Sequence, residues 1–203
     1  ERTGYTAIMI TGRVITQLNR KGEGHKTIRW REYPRELGWE KTQAHWAKRE
    51  FSLHARHNLV AYNDISHCMQ RIGDGNAIYV SGAGAGNRIR SNYIHDILGP
   101  HMNAAIRCDD DQHDTIIEGN LITHCVGEGF IIKGRNTIRH NIVSFLMDTT
   151  PDGTQAVHRR GFLQAHTTSV DGSIITNNVF LANKKGIKAM TLTQGLSGST
   201  VDR

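Results

Sequence analysis

The stretch Ala105–Asp114 reads AIRCDDDQHD, an alternating apolar–polar run that ends in three consecutive aspartates and a histidine. Adjacent carboxylates repel one another, and folding gains nothing from the repulsion. On an extended chain successive odd positions share a side, so Asp109 and Asp111 face the same way with Cα atoms roughly 6.5–7 Å apart. Crowding of this kind raises the pKa of at least one carboxyl, which suits a general acid beside an ionised partner. Two plainer readings compete with that one. The run is a solvated acidic turn, or it is a seat for Ca²⁺. The elements that carry it decide between them.

Composition bounds those elements. The 203 residues are 37% hydrophobic, enough for one sizeable core. No apolar run reaches the length of a membrane span, and no signal-peptide pattern opens the chain. Cys68, Cys108 and Cys125 form neither a disulfide framework nor a CxxC site and read as small buried hydrophobes. The net charge of +6 sits in one place: residues 13–57 hold 11 Lys and Arg against 5 Glu, and the remainder is balanced. That segment also contains all three tryptophans, Trp30, Trp39 and Trp46. It reads as an aromatic, basic insertion over 13–50. Its rings either stack on sugars, with the cations holding acidic substituents, or pack as a small cap. Nucleic acid also suits the composition, but the rest of the chain has no recognised nucleic-acid fold.

A repeat organises the rest. NLVAYNDI (58–65), NRIRSNYI (87–94), TIIEGNLI (115–122), NTIRHNIV (136–143) and SIITNNVF (173–180) superimpose without gaps. Asn63, Asn92, Asn120, Asn141 and Asn178 fill the sixth position, and a branched aliphatic residue fills the third. The asparagines are 29, 28, 21 and 37 residues apart. A fixed motif with variable spacers marks a solenoid with its insertions in loops. Short alternating runs rich in Ile and Val are strands, which stack as a single parallel β-helix with coils about 4.8 Å apart. The recurrent Asn is then a ladder along the axis, placed where each coil needs a left-handed turn.

Further strands align as AIYVS (77–81), AIRCD (105–109) and GFIIK (129–133), with TAIMITG (6–12) as an earlier coil. Ile78/Val80, Ile106/Cys108 and Phe130/Ile132 face inward. Tyr79, Arg107 and Ile131 form one outward column; Ser81, Asp109 and Lys133 form the next. In GFLQAHTT (161–168) the inward face is not fixed. The chain starts almost on a strand, so the expectation is part of a longer protein.

These stretches, from NLVAYNDI through GDGNAIYVSG and AAIRCDDDQHDTIIEGNLI to NTIRHNIV, resemble the right-handed parallel β-helix proteins of carbohydrate metabolism, most of all bacterial β-helix glycoside hydrolases. The resemblance covers about residues 51–183. It implies hydrolysis of a polysaccharide or oligosaccharide, with the Asp109–Asp110 pair and Asp74 of GDGNAIY as site residues. Asp111 completes the catalytic candidates. Asp74 lies at the far end of its strand and joins only if the turn folds back over the groove. Arg107, Tyr79, Lys133, Trp39 and Trp46 are the candidate substrate contacts. Inverting glycosidases hold their carboxyls about 6.5–9.5 Å apart and retaining ones about 5–5.5 Å, and neither needs a cofactor. Such a substrate implies a secreted or periplasmic protein with no membrane partner. Arg107 stands where that family often has an aromatic.

Two alternatives stay open. A lyase or epimerase acting on uronates would use the Asp cluster to hold Ca²⁺ and Lys133 or a histidine as base. A non-catalytic glycan-binding solenoid would bind without turnover. Separately, NDISHC, NYIHDI and NLITHC align, so that Cys68, Ile97 and Cys125 form an apolar column beside His67, Asp96 and His124. That second column is either a metal site or a hydrogen-bonded surface ladder.

Overall fold

The computed structural model describes residues 4–12, 50, 53–99, 102–110, 112–155, 161–166, 170–182, 185, 187–192 and 197–202, without the side chains of Met102 and Asn103. The aromatic insertion with Trp39 and Trp46 lies outside the described residues, as does Asp111. The strands in chain order are β1 (Ile8–Thr11), β2 (Leu59–Ala61), β3 (Asp64–Ser66), β4 (Gly75–Ser81), β5 (Arg88–Arg90) and β6 (Tyr93–Ile97). Next come β7 (Met102–Cys108), β8 (Ile116–Glu118), β9 (Leu121–Cys125), β10 (Glu128–Ile132), β11 (Thr137–Arg139) and β12 (Ile142–Ser144). The last are β13 (Gly161–Ala165), β14 (Ile174–Thr176), β15 (Val179–Leu181), β16 (Lys188–Leu192) and β17 (Thr200–Val201).

Every third strand stacks on its predecessor, which builds three parallel sheets: β1-β4-β7-β10-β13-β16, β2-β5-β8-β11-β14-β17 and β3-β6-β9-β12-β15. A coil therefore has three strands where the sequence pattern suggests two. The eight-residue unit contains a corner, with β2 and β3 on either side of Asn63. Each such unit feeds one residue to the interior on either side of that corner. Ile89, Ile117 and Ile138 pair in register on the second sheet, and Ile94, Ile122 and Val143 on the third. All six are fully buried, and with Ile78, Ile106 and Phe130 of the first sheet they belong to one continuous core. Cys68, Cys108 and Cys125 are free and buried there.

The asparagine ladder fixes the corner. Asn63 Nδ2 donates to Asn92 Oδ1 at 2.9 Å, and the same bond joins Asn92 to Asn120, Asn120 to Asn141 and Asn141 to Asn178. Each side chain also serves backbone: Asn92 Oδ1 accepts from Asn63 N, and Asn120 Nδ2 donates to Ile89 O. Amide side chains thus replace the strand hydrogen bonds that a corner would break. The left-handed residue is not the asparagine. It is the one before it: Tyr62, Ser91, Gly119, His140 and Asn177 have φ between 53° and 63°. The asparagine is kept for its amide, so the αL role expected of it belongs to its neighbour.

Candidate functional site

On the first sheet, register places Tyr79, Arg107, Ile131 and Gln164 side by side on the outer face. One residue past the strand ends the ladder continues. Asp109 N donates to Val80 O (2.8 Å), Lys133 N to Cys108 O (2.8 Å) and His166 N to Ile132 O (3.0 Å). Ser81, Asp109, Lys133 and His166 are therefore successive members of one column. Both expected columns form as read, though Ile131 and Ser81 are buried within them.

His166 joins the column because Leu163 aligns with Phe130 and Ala165 with Ile132. The inward face of GFLQAHTT was hidden by a misleading glycine. Gly161 pairs with Glu128 rather than with Gly129, so aligning the glycines shifts every side chain to the wrong face. The signal that could have found it is the pair of apolar residues Leu163 and Ala165 bracketing the polar Gln164.

Five charged groups alternate in sign across the column. Asp74 Oδ1 lies 2.9 Å from Arg107 Nη1, and Arg107 Nη2 lies 2.9 Å from Asp109 Oδ2. Lys133 Nζ is 2.5 Å from Asp109 Oδ1 and 2.8 Å from Asp110 Oδ1. The first of those approaches is an ionic contact whose angle falls outside hydrogen-bond geometry, leaving Asp109 Oδ1 without a directed donor. The Tyr79 hydroxyl donates to Asp109 Oδ2 at 2.7 Å. Burial pushes the Tyr79 phenol up, and its bond to the Asp109 carboxylate pushes it further. For Lys133 and Arg107 burial acts against the charged form, but the aspartates beside each outweigh it and hold the cation above its ordinary pKa. His166 is held below its usual value by burial, with the positive charges of Lys133 and Arg107 adding to the effect.

Of the expected site residues, Asp74, Tyr79, Arg107, Asp109, Asp110 and Lys133 come together, whereas Asp111, Trp39 and Trp46 lie outside the described residues. Asp74 does reach the group, but through the length of Arg107 and not by a turn folding back over the groove. Asp109 and Asp110 share the site through Lys133. Alternation carries from Arg107 to Asp109, and the backbone turns away only after it. A turn, held by Gly82 N donating to Asp110 O at 2.8 Å, brings both carboxyls onto one ammonium. Lys133 and Arg107 are engaged by protein carboxylates, so neither stands as an uncommitted anion clamp.

The column of His67, Asp96 and His124 forms in register, with Phe145 next in line. All four are left-handed corner residues with φ between 48° and 55°. Asp96 bonds its neighbour His95 at 2.7 Å instead of the two column histidines, and His124 stacks on Phe145. Among the described residues no group of His, Cys, Asp or Glu side chains is arranged to hold a metal ion.

The family model for the right-handed β-helix region matches residues 51–201. The chain belongs to the right-handed β-helix family. No curated protein and no solved structure matches it.

Proposed function

We propose that the chain is a glycan-active β-helix that hydrolyses a glycosidic bond with Asp109 and Asp110, in a family that includes pectate lyases and glycosidases. The observation that carries the reading is the single ammonium shared by two carboxyls. With Lys133 Nζ 2.5 Å from one and 2.8 Å from the other, their nearest oxygens are no further apart than those two legs laid end to end. That upper bound is short of the inverting range and leaves the shorter separation of retaining enzymes, about 5–5.5 Å, as the nearer match.

The environments divide the roles. Asp109 is almost enclosed, with two cations and a phenol donor around it, and is the ionised partner that attacks the anomeric carbon. Asp110 is the more exposed, at 29% of its side chain against 9% for Asp109, and is the group that a glycosidic oxygen can reach. A proton taken up from solvent in exchange for its ion pair with Lys133 lets it act as acid toward the leaving oxygen, and it then takes one from the water that releases the sugar from Asp109. Tyr79 and Arg107 fix the orientation of the nucleophile. His166, one coil beyond Lys133, borders the leaving side.

The Ca²⁺-dependent uronate reading finds less support. A bound Ca²⁺ needs several uncommitted oxygens. Here both oxygens of Asp109 face cations, and the nearest oxygen of Asp110 faces Lys133. These described residues do not fit a resident Ca²⁺.

The test is a screen of neutral and acidic polysaccharides with and without chelator, in which reducing ends and unsaturated sugars are read separately. Hydrolysis yields reducing ends alone, with the anomeric configuration retained and chelator without effect. Asp109→Asn and Asp110→Asn each lower turnover by about two to four powers of ten while binding persists. Unsaturated products, or full turnover in both variants, would overturn the proposal.

A further inference from the structure

The outer face of the second sheet carries a charge pattern that the Asp109 site does not use. Arg88 and Arg90 project from β5, Glu118 from β8 and Arg139 from β11, with Arg90, Glu118 and Arg139 in register. Three guanidiniums gather around Glu118, and Asp202, whose N donates to Ile175 O, continues the Arg90–Glu118–Arg139 column two coils beyond Arg139. Glu118 acts as a brace. Arg88 Nη2 lies 2.7 Å from Glu118 Oε1, and Arg139 Nε and Nη2 lie 2.9 and 2.7 Å from Oε2. One carboxylate thereby holds two guanidiniums, and their charge exceeds what it can neutralise. Arg90 lies 5.6 Å from the centre of the Tyr62 ring, and its Nε is buried without a partner. That ring is 74% exposed at the corner of the same face. Leu59, paired with Arg88, and Ile174, paired with Thr137, are also exposed and put apolar ground on either side of the charged coils.

We infer that this face docks an acidic polysaccharide at a site separate from the Asp109 column. A guanidinium fork matches a carboxylate in a plane, and bracing lowers the entropy lost when one binds. Coils about 4.8 Å apart place the Arg90 and Arg139 charges about 10 Å from one another along the axis. Anionic groups on a linear chain can meet both while sugar rings lie on Tyr62 and the aliphatic residues. Duplex nucleic acid is a poorer fit, because this flat sheet offers no helix or ribbon to enter a groove. The choice of a glycan as the polyanion rests on the proposed function; the surplus of positive charge does not.

Binding of the full chain to polygalacturonate, a neutral glucan and duplex DNA decides the matter, measured by calorimetry at low and high salt. Polygalacturonate binds the wild type in a salt-dependent manner, and the neutral glucan binds this face not at all. The paired variant Arg88→Gln/Arg139→Gln weakens polygalacturonate binding about tenfold or more, whereas Arg88→Lys/Arg139→Lys retains most of it and guards against a folding defect. Asp109→Asn leaves this binding unchanged. Unaltered affinity in the Gln pair, equal loss in the Lys pair, or tighter binding of duplex DNA would overturn the inference. Failure of the hydrolysis assay with the arginine results intact would remove the proposed chemistry and leave the docking face standing.

Discussion

At the residue scale, the chain treats its buried acids in two ways. Asp109 is surrounded by counter-charges, so its burial is compensated by Arg107, Lys133 and Tyr79. Glu128 is not. It opens β10, is 3% exposed, and its Oε2 has no hydrogen-bond partner among the described residues. Gly161 lies opposite, and a Cβ there would come within 2.7 Å of that oxygen. Burial pushes the Glu128 carboxyl up from 4.5 to about 8. The folded protein therefore keeps a proton that the unfolded chain gives up, and the sign follows. Below about pH 4.5 both states hold the proton and Glu128 contributes no slope. Between there and about pH 8 the unfolded state binds fewer protons, so stability falls as pH rises, by at most about 1.4 kcal/mol per unit from this one group. Above about pH 8 the contribution is level. Urea unfolding of wild type and Glu128→Gln across pH 5–8 measures it. The variant loses this downward slope whatever its absolute stability. Parallel curves for the two proteins would show that Glu128 ionises in the folded state as easily as in the unfolded one.

At the scale of the element, the corner matters more than the strand. β2 and β3 have three residues each, too few to hold register alone, and the ladder between them supplies it. Asn120 is bonded on both sides: its Oδ1 accepts from Asn92 N and Nδ2, and its Nδ2 donates to Asn141 Oδ1 and Ile89 O. Asn63 is the first rung among the described residues, and there its ladder bonds run to Asn92 alone. Asn120→Ala accordingly destabilises by about 1–3 kcal/mol, and Asn63→Ala by clearly less, in denaturant titrations. Equal and negligible losses would remove the ladder as a source of stability. This ladder was legible in the sequence because one residue type recurs at one position of a gapless unit. A second ladder was missed. Asn58 bonds Asn87, Thr115 N donates to Asn136 Oδ1, and Asn136 N donates to Ser173 Oγ. Its rungs are Asn, Thr or Ser: Asn recurs at 58, 87 and 136, but Thr115 and Ser173 break the repeat, so the first position reads as short polar side chains more than as one letter. The two outward columns were legible wherever strand alternation runs unbroken, as from Tyr79 to Arg107. Past Asp109 the backbone turns, and alternation no longer says which aspartates face each other. The Arg107–Asp74 contact spans 33 residues and depends on the reach of a long side chain, which no periodicity records.

At the scale of the whole molecule, the protein is a stack in which each coil touches only the coils next to it. Stability in such a stack is a sum of coil and neighbour-interface contributions, so opening begins where neighbours are fewest. In the first sheet β4 lies between β1 and β7, whereas among the described residues β2 and β3 each pair with one strand in theirs. At the other end β16 and β17 pair on one side, and β17 is exposed along both of its residues. Strands β7 to β9 occupy the middle of all three sheets, with Ile106, Ile117, Ile122 and Cys125 fully buried beneath them. Hydrogen exchange followed by mass spectrometry on the 203-residue chain therefore has a graded profile. Amides of β7 to β9 are slowest, those of β2 and β3 are faster, and those of β16 and β17 are fastest. The Asp109 turn lies beside the slowest coil, so its backbone amide, bonded to Val80 O at 2.8 Å, exchanges with the core and not with the loops. That places the proposed carboxylate pair on the most rigid part of the stack, where a fixed separation between two carboxyls can be maintained. Uniform protection from β2 to β17 would mean that the coils open together, and fast exchange at Asp109 would detach the turn from the scaffold that is meant to hold it.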